Sequence, residues 1–229
     1  MSEVKRNLIL HVFPLLGREE NWHWHISVIK KYRDLFDGKV IVSCVFGEGL
    51  SDPRDVEKMM PREVDFRVFK NDQKLGEMVT FYDQVESVIQ EDGWTLRSHT
   101  KGVTHRQIDI ETIWARAMWA CCIKSPPNSK KNCHVMGPMR IAESFGTPVW
   151  PHGWFFAGTF FWFRNEAVRS RDWKLPFKDK WFIEWWPGVV FEFRESECLF
   201  YDMKHRREFQ AGDKRKIFIA QSEKISENI

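Results

Sequence analysis

The stretch Trp94-Thr95-Leu96-Arg97-Ser98-His99-Thr100-Lys101-Gly102-Val103 decides how this chain is read. Trp94–His99 is expected to be a strand, and a helix is expected before it over Glu77–Gln90, where Met78, Phe81, Tyr82, Val85, Val88 and Ile89 mark one face. The strand runs into a turn at Gly102, where the missing side chain lets the backbone bend sharply and approach a ligand. His99 and Lys101 beside that turn supply the charge and hydrogen bonds that anionic oxygens need. In open α/β sheets, ligands bind outside the carboxyl ends of the strands, so this turn is expected to meet a phosphate-bearing ligand. The alternative reading is a basic surface turn.

Outward from this point the pattern repeats. Asn7–Phe13, Lys39–Phe46 and Val64–Phe69 read as further strands, and Cys133–Gly137 as a short one. Between them, Trp22, His25, Ile29, Tyr32 and Phe36 recur at helical spacing, with Asn21 as the expected cap, and Asp52–Met60 reads as a short helix with Pro53 in its first turn. A further helix shows Ile110, Ile113, Trp114, Ala117, Met118 and Cys121 on one face. Strand and helix in alternation predict an α/β fold with a mostly parallel sheet and helices on both faces. After Gly137 the chain changes character: Phe145–Phe163 is rich in Gly, Pro and aromatics, and Val189–Phe193 and Cys198–Tyr201 read as two strands of a small mixed part. The tail, residues 204–229, carries many charges and is expected to be partly mobile. The whole is expected to be a single domain over 1–229, with a ligand-binding half at 1–137 and a second half at 138–203.

Composition excludes several classes. A net charge of +3 is too small to indicate nucleic-acid binding by itself. The longest apolar run, Trp154–Phe163, is about half the roughly 20 residues that a membrane helix needs, so no membrane span is expected. The cysteines form no CxxC pair, which suits reduced thiols and a cytoplasmic location. There is no GxGxxG, no P-loop, no GxSxG elbow and no DxD triplet. No Cys/His set has zinc spacing.

Three further places carry candidate chemistry. The end of the first strand, His11-Val12-Phe13-Pro14, lies at the same sheet edge as His99. The run from Trp150 to Trp162 sets small residues among aromatic rings, which suits either a bent core strand or a surface on which a sugar or base stacks. Glu184 sits among Phe182, Ile183, Trp185 and Trp186. A carboxylate in such company is costly unless paired or used, so it is either a general acid or base or one half of an ion pair with Arg164 or Lys180.

Taken in order, these pieces resemble small GT-A-fold glycosyltransferases related to rhamnan-synthesis proteins. Those carry an H-[ST]-K-G or H-T-K-K run where most GT-A enzymes have DxD. A tryptophan-bearing helix follows, then a strand with V-G, an H-F-S-G-N-F-W-W-like segment and an E-x-W motif. Here stand His99-Thr100-Lys101-Gly102, Trp114, Val135-Met136-Gly137, Phe156-Ala157-Gly158-Thr159-Phe160-Phe161-Trp162 and Glu184-Trp185-Trp186. Thr159 replaces the family's asparagine, and His152 is separated from Phe155 by two residues.

The resemblance implies a GT-A-like (Rossmann-like) domain that moves a sugar from a nucleotide-sugar donor, UDP-linked or similar, to an acceptor hydroxyl. It implies donor contacts at His11, Phe13, Pro14, Thr80, His99, Thr100, Lys101 and Gly102. Catalytic roles fall to Glu184 and His152, and acceptor contacts to Trp154, Phe156, Gly158, Thr159 and Trp185. His99 is the one metal ligand it offers, for manganese or magnesium; Lys101 alternatively supplies the charge without metal. The acceptor is expected to be a glycan. The basic residues Lys204, His205, Arg206, Arg207, Lys214, Arg215 and Lys216 motivate the alternative of a hydroxymethylated base in DNA. The missing DxD motivates a third reading, a non-catalytic nucleotide-sugar-binding module.

Overall fold

The computed structural model describes residues 4–100, 108–127, 132–142, 153–176, 182–203 and 212–227. The chain is mixed α/β with one eight-stranded sheet. The strands are β1 (Arg6–Val12), β2 (Val40–Phe46), β3 (Asp65–Lys70), β4 (Trp94–His99), β5 (Val135–Ile141), β6 (Phe155–Phe156), β7 (Phe161–Arg164) and β8 (Ser196–Met203). Their order is β3-β2-β1-β4-β7-β5-β6, with β8 paired to β5. The first four strands are mutually parallel, in register Leu10 with Val42 and with Ser98. β7 then runs antiparallel to both β4 and β5.

The helices are α1 (Glu19–Lys31), α2 (Pro53–Lys58), α3 (Met78–Val88), α4 (Ile108–Lys124), α5 (Asn165–Arg169), α6 (Phe182–Val190) and α7 (Gly212–Ser226). They cover both faces. Leu8, Leu10 and Val12 of β1 pack with Trp22, Ile26 and Ile29 of α1 and with Met118 and Trp119 of α4. On the other face Ile9 joins Phe81 and Val85 of α3 and Phe182 and Trp186 of α6. Side chains alternate across a strand, so the odd-numbered residues of β1 and β4, His11, Thr95, Arg97 and His99 among them, share the α3 face.

The order carries a functional consequence. From β1 the chain winds outward to β3, then crosses back to β4 on the far side of β1. The carboxyl ends of β1 and β4 therefore flank a topological switch point, the place where the ligand crevice of an open α/β sheet lies.

Several local expectations need correcting. Asn21 is not a cap: α1 begins two residues earlier, and Glu19 Oε1 accepts from the Gly17 amide at 2.9 Å. Val189–Phe193 is not a strand, because Phe182, Ile183, Trp186 and Val190 put their apolar side chains on one helical face of α6, and that burial outweighs the β-preference of Val189 and Val190. Within the tail, α7 packs along α4, where Lys124 Nζ donates to Ile225 O at 2.6 Å. The rings of the aromatic run, Trp154 to Phe163, are core: Phe156, Phe160, Phe161, Trp162 and Phe163 have no exposure. No described helix is long and apolar enough to cross a membrane.

One glycine fixes α6 against the loop before β6. A Cβ built on Gly188 would lie 1.7 Å from Trp154 O, a backbone atom that cannot swing aside. Gly188→Ala is expected to cost more than about 4 kcal/mol, as a change that forces backbone apart in a core does. Gly47→Ala, whose new Cβ meets only Asn71 Cβ at 3.6 Å, is the control expected within about 0.5 kcal/mol of the parent. Urea unfolding of both variants measures the difference.

Candidate active site

The crevice holds a connected set of polar side chains. His11 ends β1 and is 3% exposed; its Nδ1 lies 2.9 Å from Thr80 Oγ1 on the first turn of α3. The Thr80 hydroxyl also reaches the Glu77 carbonyl at 3.2 Å. With its single proton there, neutral His11 donates from Nδ1 and keeps a lone pair on Nε2. Thr100 Oγ1 accepts from the Phe13 amide at 3.0 Å, tying the turn after β4 to the turn after β1.

At the centre stands Glu77, the residue just ahead of α3. Its Oε1 takes His99 Nδ1 at 2.5 Å. Its Oε2 takes Arg97 Nη2 at 2.7 Å and Thr159 Oγ1 at 3.2 Å. Arg97 has no solvent exposure, and its second nitrogen donates to the Ser98 carbonyl. Thr159 follows Gly158, and both carry positive φ, 54° and 88°. The Gly158 amide donates to Glu184 Oε1 at 3.0 Å, from the first turn of α6. Two adjacent residues thus join the cluster under β4 to the carboxylate on α6.

Charge states follow from these partners. Burial pushes the His11 imidazole down to about 3, so it is neutral near pH 7; Glu77 opposes the shift and Arg97 and His99 add to it. Burial works against an ionised Glu77, but the charge and hydrogen bond of His99, with Arg97 behind it, outweigh that and hold the carboxyl well below its ordinary range.

Several solved structures are similar in fold. Glucosyl-3-phosphoglycerate synthase from M. tuberculosis matches over 95% of this chain and 79% of its own, at 12% identity and a TM-score of 0.48. The same enzyme in complex with Mn2+, UDP-glucose and phosphoglyceric acid matches over 98% and 80%, at 12% identity and 0.43. A Desulfovibrio desulfuricans G20 protein described as a nucleotide-diphospho-sugar transferase matches over 98% and 97%, at 8% identity and 0.39. No protein-family model matches the chain, and no curated protein is similar to it in sequence.

The structure sorts the expected site residues. His11, Thr80, His99, Thr159 and Glu184 are brought into one connected cluster, and Phe13 and Thr100 close its edge. Pro14 is buried in the turn, where its carbonyl accepts from the Ser51 amide at 2.8 Å. Trp154 and Phe156 are not placed for an acceptor. Both are core side chains, and Trp154 Nε1 donates to Phe191 O at 3.1 Å. Trp185 packs against the cluster of Met139, Ile141 and Phe155. The ion pair of Glu184 with Arg164 does not form, because Arg164 is taken by Glu166. Lys101, Gly102, His152 and Lys180 lie outside the described residues, as do residues 204–210 and the side chains of Lys214 and Arg215 in the basic cluster.

Sequence reasoning missed Glu77 and Arg97. A signal existed: Arg97 is an arginine in the middle of a strand expected to be central in the sheet, and such a charge demands a buried counter-charge. The metal role expected of His99 has no donor set among the described residues. Among the described residues no three His, Cys, Asp or Glu side chains are grouped to hold an ion, and both oxygens of Glu77 already serve Arg97, His99 and Thr159. Manganese and magnesium need free carboxylate or other oxygen ligands.

His11 makes stability pH-dependent in a defined direction. Its folded value of about 3 lies below the 6.5 of an unperturbed imidazole, so between these values the unfolded chain binds more protons. Stability from this group is complete above pH 6.5 and is lost as pH falls, with a slope of at most about 1.4 kcal/mol per unit. Glu77, held low, adds its own loss only below its ordinary 4.5. Thermal midpoints taken between pH 7 and pH 5 are therefore expected to fall with acid, and His11→Asn is expected to flatten that fall.

Proposed function

We propose that this chain transfers a sugar from a nucleotide-sugar donor to an acceptor hydroxyl, and that the acceptor is a saccharide. The observation that carries the reading is the joining, through Gly158 and Thr159, of a cation-bearing crevice at the ends of β1 and β4 to the carboxylate Glu184. The glycosyltransferase-like order of motifs agrees with it. The five cysteines are all thiols, which suits a cytoplasmic enzyme. We read residues 1–137 as the donor half and 138–203 as the acceptor half of one domain.

The chemistry assigns each group a task. The nucleoside lies against the end of β1, where neutral His11 keeps a lone pair on Nε2 and Thr80 fixes the ring from behind. The diphosphate lies over His99, with Lys101 following Thr100 directly in the chain. As the anomeric carbon–oxygen bond breaks, the electron pair leaves with the diphosphate, and fixed donors there stabilise the growing charge. Glu184 is held by one oxygen on the Gly158 amide, which leaves the other to take the proton of the acceptor hydroxyl as the new glycosidic bond forms.

The test begins with thermal shift against a panel of nucleotide sugars, with and without manganese, since a bound donor raises the midpoint by mass action. Turnover is then followed with saccharide acceptors and, in a separate arm, hydroxymethylated and plain duplex DNA. Glu184→Gln keeps a carbonyl oxygen for the Gly158 amide, so it is expected to retain the donor-induced shift while transfer drops by roughly 100-fold or more. Near-normal turnover in that variant would remove Glu184 as the base. A panel in which no donor shifts the midpoint would remove the donor reading itself.

A further inference from the structure

We infer that Glu77 is a positioning residue that serves both halves of the site at once: it orients His99 toward the donor and, through Thr159, fixes the turn whose amide holds Glu184. The inference rests on the transferase reading above, in which His99 and Glu184 are the groups that meet substrate.

The geometry is a chain of short contacts with no gap. His99 Nδ1 meets Glu77 Oε1 at 2.5 Å, Glu77 Oε2 meets Thr159 Oγ1 at 3.2 Å, and the neighbouring Gly158 amide meets Glu184 Oε1 at 3.0 Å. Glu77 itself is anchored from behind by Arg97, which is fully buried and lies over the Phe81 ring at 5.9 Å. Its backbone is anchored too, since its carbonyl accepts from the Thr80 hydroxyl.

The turn is the part that needs holding. Thr159 sits at φ 54°, a left-handed conformation that a β-branched residue adopts only when its surroundings impose it. Three elements impose it here. Glu77 grips the hydroxyl from ahead of α3, and Glu184 grips the Gly158 amide from α6. Gly158 is also pressed onto α4, where a Cβ would lie 2.7 Å from Met118 Sδ. Releasing the hydroxyl removes one of the three, and the amide that aims Glu184 moves with it.

Thr159→Val keeps the shape and the branched Cβ but deletes the hydroxyl, whereas Thr159→Ser keeps the hydroxyl. In the full chain, Thr159→Val is expected to lower kcat about tenfold, the effect of losing a hydrogen bond to a charged group. The donor KM stays within about twofold, because the donor contacts are untouched. Hydrogen exchange at the Gly158 amide is expected to accelerate in step. Thr159→Ser is expected to match the parent in all three. Should Thr159→Val fold poorly, Thr159→Asn takes its place, since asparagine tolerates the left-handed region and its amide can donate to Glu77; it is expected to match the parent, and a tenfold loss of kcat in it overturns the inference. Equal kcat and equal Gly158 exchange in the Val and Ser variants likewise overturn it. If the parent turns over no nucleotide sugar at all, the transferase reading has failed, and the exchange rates still decide whether Glu77 and Thr159 hold the turn.

Discussion

The structure depends on a guanidinium buried in the middle of its sheet. Arg97 lies on β4, between β1 and β7, with no exposure, and a charge there is tolerable only with a counter-charge in contact. Glu77 is that counter-charge, so the start of α3 is tied to the centre of the sheet. Its carboxylate has two oxygens and Arg97 uses one of them. The other takes His99, two residues along on the same face of the strand. Thr159 shares the Arg97 oxygen and brings in the turn before β7. One buried pair thereby sets the mutual placement of β4, α3, β7 and, through Gly158, α6.

Of the parallel strands, β1 and β2 were legible as apolar runs between turn residues, as expected for strands covered on both faces, and β3 as an alternating stretch; β4 was read at its true bounds. The site's edge was legible too, since ligands in open α/β sheets meet the carboxyl ends of the strands and the ends of β1 and β4 both lie there. Glu77 was not. It stands directly before a helix, where acidic residues commonly serve the helix terminus, and nothing local marks it as the partner of a residue twenty positions later. α6 was not legible as a helix, and its last two residues read as strand, for a related reason: Val189, Val190 and Phe191 favour strands in isolation, and only packing of Trp186 between Phe161, Phe163 and Phe81 decides for a helix.

The aromatic run before and within β7 shows how a strained turn is kept. Phe161 stacks on Trp186 with centroids 6.0 Å apart, and Phe156 stacks on Phe161 at 6.3 Å. Phe160 meets Trp119 edge-on at 5.4 Å on the other face. Rings of this kind each contribute about 0.5–1.5 kcal/mol beyond their buried area. A β-branched residue in the left-handed region costs about 1–2 kcal/mol. The core on either side of Gly158 and Thr159 therefore outweighs the strain, and the apolar density, which in sequence suited either a bent core strand or a stacking surface, is what makes the polar turn sustainable.

The same arrangement argues for the sign of the ligand. Both oxygens of Glu77 are engaged, one by His99 and the other by Arg97 and Thr159. A divalent cation that took one of these oxygens would leave a buried guanidinium or imidazole without its partner, and breaking a buried pair costs about 3–5 kcal/mol. On the proposed reading an anion meets His99 from the side away from Glu77, whose carboxylate stays behind the imidazole and orients it. On that reading a diphosphate meets an imidazole that Glu77 already orients from the far side.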